Sequence, residues 1–169
     1  MIKLALPSWW QVTTPHKDIR EGKLSEAIFA ADLGDVVYAK APLEYKDASI
    51  FFQKTYLTQG LKNLLENVLS RLSGGKGDPV IQLQTPFGGG KTHALLALYH
   101  MVENREKVKH LDVISKLPKP ENAKVVVFVG THADPLKGRT PWGEIAHQLG
   151  VYNKVKVLAG DNRDSQVKG

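Results

Sequence analysis

Val80-Ile81-Gln82-Leu83-Gln84-Thr85-Pro86-Phe87-Gly88-Gly89-Gly90-Lys91-Thr92-His93 is the stretch on which the reading of this chain turns. An alternating apolar run that starts at Pro79 and ends at Gln84 predicts a strand. Three glycines follow, and then Thr92 to Asn104, rich in Ala, Leu and Tyr, predicts a buried helix. Strand, glycine turn and helix in that order are the setting of a phosphate-binding loop. Glycines let backbone N–H groups turn inward around phosphate oxygens, a lysine reaches the outer phosphates, and a Ser or Thr hydroxyl ligates Mg²⁺. The unpaired amides and dipole of the following helix favour the anion. Phe87, Gly88, Gly89, Gly90, Lys91, Thr92 and His93 are therefore the candidate cofactor-binding residues, with Thr92 the candidate metal ligand. One position departs from the usual G-x-x-x-x-G-K-S/T spacing, because its first glycine falls on Thr85.

Outward from the loop, Leu57, Leu61, Leu64, Leu65, Val68, Leu69 and Leu72 recur at helical spacing and predict a helix over 55–73, stopped by Gly74 and Gly75. His110 to Leu117 predicts a shorter helix. Val125-Val126-Val127-Phe128-Val129 is a continuous apolar run of the kind found in a central parallel strand. Thr140 offers an N-cap and Pro141 the first helical position for a helix over 142–149, stopped by Gly150. Upstream, Pro7, Pro15, Gly22, Gly34 and Pro42 interrupt every pattern. Only Ser25 to Leu33 reads there as a short helix, ending at Gly34.

Strands alternating with helices predict an α/β fold, a three-layer parallel-sheet P-loop NTPase core. The expected organisation is an irregular N-terminal segment over 1–55, the nucleotide-binding core over 56–150, and an edge strand or loose tail over 151–169.

The loop sequence 82–93 resembles that of a family of large predicted prokaryotic AAA+-type ATPases, whose genes often lie beside DNA methyltransferases in anti-phage islands. The likeness extends to Thr14-Pro15-His16-Lys17-Asp18-Ile19, to Phe29-Ala30-Ala31-Asp32-Leu33-Gly34-Asp35-Val36 and to residues 138–146. The resemblance implies ATP and Mg²⁺ as cofactors, an AAA+-like core, a role in phage defence, and a position near the base for Asp18 and Ile19. Family members are several times longer, so the resemblance also implies an incomplete core. Hydrolysis in such enzymes uses an acidic pair after an apolar strand. Here 125–129 runs into Gly130-Thr131-His132-Ala133-Asp134, and 154–158 reaches Asp161 through Ala159 and Gly160. Neither supplies the pair, so the expected behaviour is ATP binding with little or no hydrolysis.

Composition bounds the alternatives. The chain has 169 residues, 42% apolar and 24% charged, with no cysteine, which excludes disulfide scaffolds and cysteine-based metal or nucleophile chemistry. No apolar run is long enough to span a bilayer, and the expected location is the cytoplasm. Net charge is +6, with ten basic and nine acidic residues up to position 85 against thirteen and eight beyond. That basic second half is the feature that would contact nucleic acid. A rival reading is a non-hydrolysing interaction module, with a protein partner or a second copy of itself and a loop that is purely structural. Another is GTP binding, since Thr131 to Asp134 resembles the guanine-reading Asn/Thr-Lys-x-Asp motif. Glu144 and His147 form a single E-x-x-H, half of a di-iron ligand set. His93 and His100, like Trp9 and Trp10, read as packing residues.

Overall fold

The computed structural model describes residues 7–15, 17–22, 31–132 and 139–154, without the side chain of Asp18. It divides into two compact units, residues 1–30 and 31–169. The first holds two single-turn helices, α1 (Trp9–Val12) and α2 (Lys17–Arg20). Trp9 and Trp10 meet edge to face at 5.8 Å, yet both remain largely exposed and are not packed as expected.

In the second unit, α3 (Leu33–Val37), α4 (Leu43–Lys46) and α5 (Ala48–Gln53) precede two longer helices, α6 (Gln59–Leu72) and α7 (Lys91–Glu103). α8 (Arg105–Val108), α9 (Asp112–Ser115), a 3₁₀ turn (Gly130–His132) and α10 (Pro141–Gln148) follow. Local chemistry explains the boundaries. Thr58 caps α6 by accepting from the Leu61 amide, and Gly74 in the left-handed region (φ 82°) ends it. Asp47 caps α5 through the amides of Ser49 and Ile50. Thr140 accepts from the Gly143 amide and Pro141 opens α10, as the sequence predicts. Residues 23–30, where most of the expected Ser25–Leu33 helix falls, lie outside the described residues. Gly34 does not end a helix; it lies inside α3, which Asp32 caps.

The parallel-sheet P-loop core, and with it the three-layer AAA+-like architecture, is not what forms: among the described residues there is no strand and no sheet. Segments 79–85 and 125–129 join no ladder. Val80 is 83% exposed, the opposite of a central strand buried on both faces. The Val125–Val129 run finds side chains where a neighbouring strand would stand. The Gln148 amide of α10 accepts from Val127 N–H at 3.0 Å and donates to its carbonyl at 2.7 Å, and Glu103 accepts from Val125 N–H at 3.2 Å. A β-branched run dictates extended backbone; whether it pairs depends on a partner elsewhere in the chain.

The core is helical and centred on α7. Leu96, Ala97, His100 and Met101 are its buried face, met by Leu65 and Leu69 of α6 and Phe51 and Phe52 of α5. α3, α6 and α8 each pack against α7. His100 is fully buried with both nitrogens satisfied, Nε2 at 2.7 Å from the Tyr45 carbonyl and Nδ1 at 3.3 Å from the Asn104 amide. Beyond α7, the buried Arg105 guanidinium donates to the carbonyls of Ile114 (3.0 Å), Leu117 and Pro118 (2.6 Å), organising α9 and the turn after it. None of the described helices is long and apolar enough to cross a membrane.

Burial holds the His100 imidazole below its ordinary value of 6.5; the Tyr45 carbonyl and the Asp47 charge oppose the shift, and Lys107 adds to it. The folded state therefore keeps this ring neutral where the unfolded chain takes up a proton. Stability from this group is complete above pH 6.5 and falls as pH drops below it, by up to about 1.4 kcal/mol per pH unit. Urea unfolding across pH 7.5 to 5 should show that decline, and His100→Gln should make it shallower.

Candidate functional site: the glycine loop at the start of α7

The loop is built by its own side chains. Gly88 (φ 76°) and Gly90 (φ 78°) adopt the left-handed region, which a Cβ penalises, and the Gly89 amide closes a turn onto the Pro86 carbonyl at 3.1 Å. Gly89 is required for a different reason. A Cβ there would collide with the side chain of Thr85 and come within 3.0 Å of the Pro86 carbonyl. Thr85 stands where the usual pattern has glycine, so the two ends of the loop are fitted to each other.

Lys91 folds back over this turn. Its Nζ donates to the Thr85 carbonyl (2.9 Å), the Thr85 hydroxyl (3.1 Å) and the Pro86 carbonyl (3.1 Å). Gly90 is the N-cap of α7 and offers no side-chain acceptor. The ladder begins with the Ala94 amide on the Gly90 carbonyl at 2.9 Å, so the amides of Lys91, Thr92 and His93 lie ahead of it. Phe87 is fully exposed at the loop tip.

The His93 side chain is engaged elsewhere. The Thr55 hydroxyl gives its proton to the Phe51 carbonyl (2.7 Å), which leaves its oxygen to accept from His93 Nε2–H at 3.0 Å. The imidazole stacks on Phe51 at 4.6 Å, and burial pushes it below its ordinary value. His93 thus anchors α7 by its ring and has its backbone amide for a ligand.

Thr92 lines a cleft of about 520 Å³ with Asp32, Phe128, Val129, Gly130 and Thr131. At its edge, Asp32 Oδ2 lies 3.1 Å from His132 Nε2, and Asp32 Oδ1 accepts from the Asp35 amide at 3.1 Å. A Cβ on Gly34 would come to 2.8 Å of His132 Nδ1, so the close approach of ring and helix rests on that glycine. The sequence reading did not connect Asp32 with the loop; the available signal was an N-cap aspartate ahead of a short helix.

The other candidates are dispersed. Ile19 is exposed on α2, in the unit that is described apart from the loop. Asp134, which would complete the guanine-reading motif, and Asp161 lie outside the described residues. Glu144 pairs with Arg139 (3.1 Å) and Gln148 (2.8 Å), and His147 meets the Tyr152 ring edge-on.

A helical domain with a glycine loop leading into a buried helix is the class these features define. The profile of the DUF499 N-terminal domain matches residues 11–166, and the chain belongs to that family. No curated protein and no solved structure matches it.

The fit between Thr85 and Gly89 is open to a double-mutant test. Gly89→Ala should destabilise the fold by about 1–3 kcal/mol, the usual cost of forcing extra volume into a packed site. In a Thr85→Gly background the same change should cost well under half as much. Additive thermal or urea unfolding data would show that the two positions do not meet.

Proposed function

We propose that the loop binds ATP with Mg²⁺. The observation that carries this reading is the conjunction at the start of α7 of two glycines in left-handed geometry, a third with no room for a Cβ, and first-turn amides ahead of the helical ladder. These features fit a polyphosphate: successive backbone N–H groups and a helix N-terminus attract anionic oxygens. In this reading the amides of Phe87 to Lys91 form the cradle, Lys91 contacts the outer phosphates and the Thr92 hydroxyl ligates the metal. Bound Mg²⁺ neutralises phosphate charge; the chain's part is to orient the phosphates and hold the ion. The resemblance to ATPases of phage-defence systems supports ATP as the nucleotide; the AAA+-like architecture is no part of this proposal. The residues assigned above hold phosphates but activate no water, so the chain by itself retains ATP.

A specific observation favours a second reading. Lys91 already has three acceptors within the protein, the arrangement expected of a strut in a purely structural loop.

Calorimetry and unfolding of Lys91→Ala separate the two. For a nucleotide site, ATP affinity falls by about 2–3 kcal/mol, because charge-assisted contacts to phosphate are lost. For a strut, stability falls and no ATP binds to either protein. Thr92→Ala should keep metal-free binding and lose most of the gain from Mg²⁺. Phosphate release should stay at background; turnover at about one per second or faster would contradict simple retention.

A further inference from the structure

We propose that Asp32, the N-cap of α3, is the protein carboxylate that holds the divalent cation beside Thr92, and that His132 positions it. The inference rests on the nucleotide reading above and adds a residue to which neither the loop pattern nor the family match points. Asp32, Thr92 and Thr131 line the same cleft, so a carboxylate-bearing residue and two hydroxyl-bearing residues from three separate segments of chain border it. Those are hard oxygen donors, the kind Mg²⁺ prefers. Among the described residues that line this cleft, Asp32 is the sole acid.

Its carboxylate is held from two sides yet is not saturated. Oδ1 accepts from the Asp35 amide at 3.1 Å, and Oδ2 lies 3.1 Å from His132 Nε2. An ionised carboxylate offers about four acceptor positions, so each oxygen retains capacity for a further partner. The group is one-third exposed, open enough for a hydrated ion to reach. The close approach of the His132 ring holds it from the second side, and that ring sits tightly against Gly34. Holding a metal-side carboxylate by a second side chain is how such ligands are commonly oriented.

The arrangement makes a prediction that a merely structural role would not. Without metal, a carboxylate in the cleft repels phosphate oxygens; with metal, it attracts the ion between them. Asp32→Asn removes the charge but keeps a side-chain oxygen able to cap α3, so the fold is retained. Calorimetric titration of the full chain with ATP, once with EDTA and once with Mg²⁺, should therefore show a reversal of order. Asp32→Asn should bind metal-free ATP as tightly as wild type or more tightly, and Mg²⁺–ATP about tenfold more weakly or worse. Asp35→Asn, a neighbouring charge that does not line the cleft, should match wild type in both buffers. Manganese resonance spectra of the ATP complex should show a changed metal environment in Asp32→Asn and not in Asp35→Asn.

A parallel loss in both buffers would assign Asp32 a structural role and overturn the proposal, as would wild-type behaviour of Asp32→Asn or equal effects of the two substitutions. Lys91→Ala in the same titrations keeps the two levels apart. If it binds ATP as wild type does, or if wild type binds none, the nucleotide reading falls and this assignment with it. If Lys91→Ala is impaired while Asp32→Asn shows no reversal, only the assignment of Asp32 falls.

Discussion

The hydrogen bond from His100 to the Tyr45 carbonyl, buried beneath the ring of Phe51, is the constraint on which the second unit depends. Phe51 lies against two imidazoles of α7, His93 at 4.6 Å and His100 at 5.2 Å, two turns apart on one helix face. An apolar contact alone would tolerate some rotation of α7. A buried imidazole does not, because leaving either nitrogen unpaired costs more than the bond contributes. Tyr45 and Asn104 satisfy both, and the Thr55 hydroxyl satisfies His93 two turns nearer the loop. The helix is thereby fixed about its own axis as well as along it. One residue of rotation turns a helix by about 100°, enough to carry Thr92 away from the cleft it shares with Asp32.

What α7 fixes, the loop then exploits. Thr85 supplies two of the three acceptors of Lys91 and fills the space a Gly89 side chain would need. A glycine at position 85 would keep the carbonyl and lose the hydroxyl. The departure from the usual spacing is therefore matched inside the same turn, by the residue four positions on. The loop closes on its own lysine and needs no partner strand for its shape, which is why a phosphate-loop pattern coexists here with described residues that form helices and no strand.

Much of this was legible in the sequence, and the part that was not has a definite physical cause. Leucine spacing announces α6, and Thr140 and Pro141 mark the start of α10 because capping is local chemistry. The glycines, Lys91 and Thr92 announce the loop for the same reason. The sheet was misread because Val125–Val129 specifies only its own extended conformation. Its partners are Gln148 and Glu103, each more than twenty residues away and recruited through side chains. Gly34 reads as a helix stop because glycine commonly is one. Its part in letting His132 approach involves a residue almost a hundred positions later, and no local pattern carries that information. Asp32 was missed with it.

Both charged groups at the proposed site have partners already, Lys91 in Thr85 and Pro86, Asp32 in His132 and the Asp35 amide. A ligand must therefore compete with interactions the protein makes with itself. For Lys91 the exchange is of neutral acceptors for anionic ones, which adds the attraction between opposite full charges. For Asp32 no exchange is needed, since a cation can occupy the acceptor positions that remain. The two halves of the site consequently differ in kind. The lysine must be drawn out of the loop, which ties phosphate binding to a change in the loop itself. The carboxylate is ready as it stands, because the Asp35 amide of α3 and the approach of His132 from the 130–132 turn already hold it.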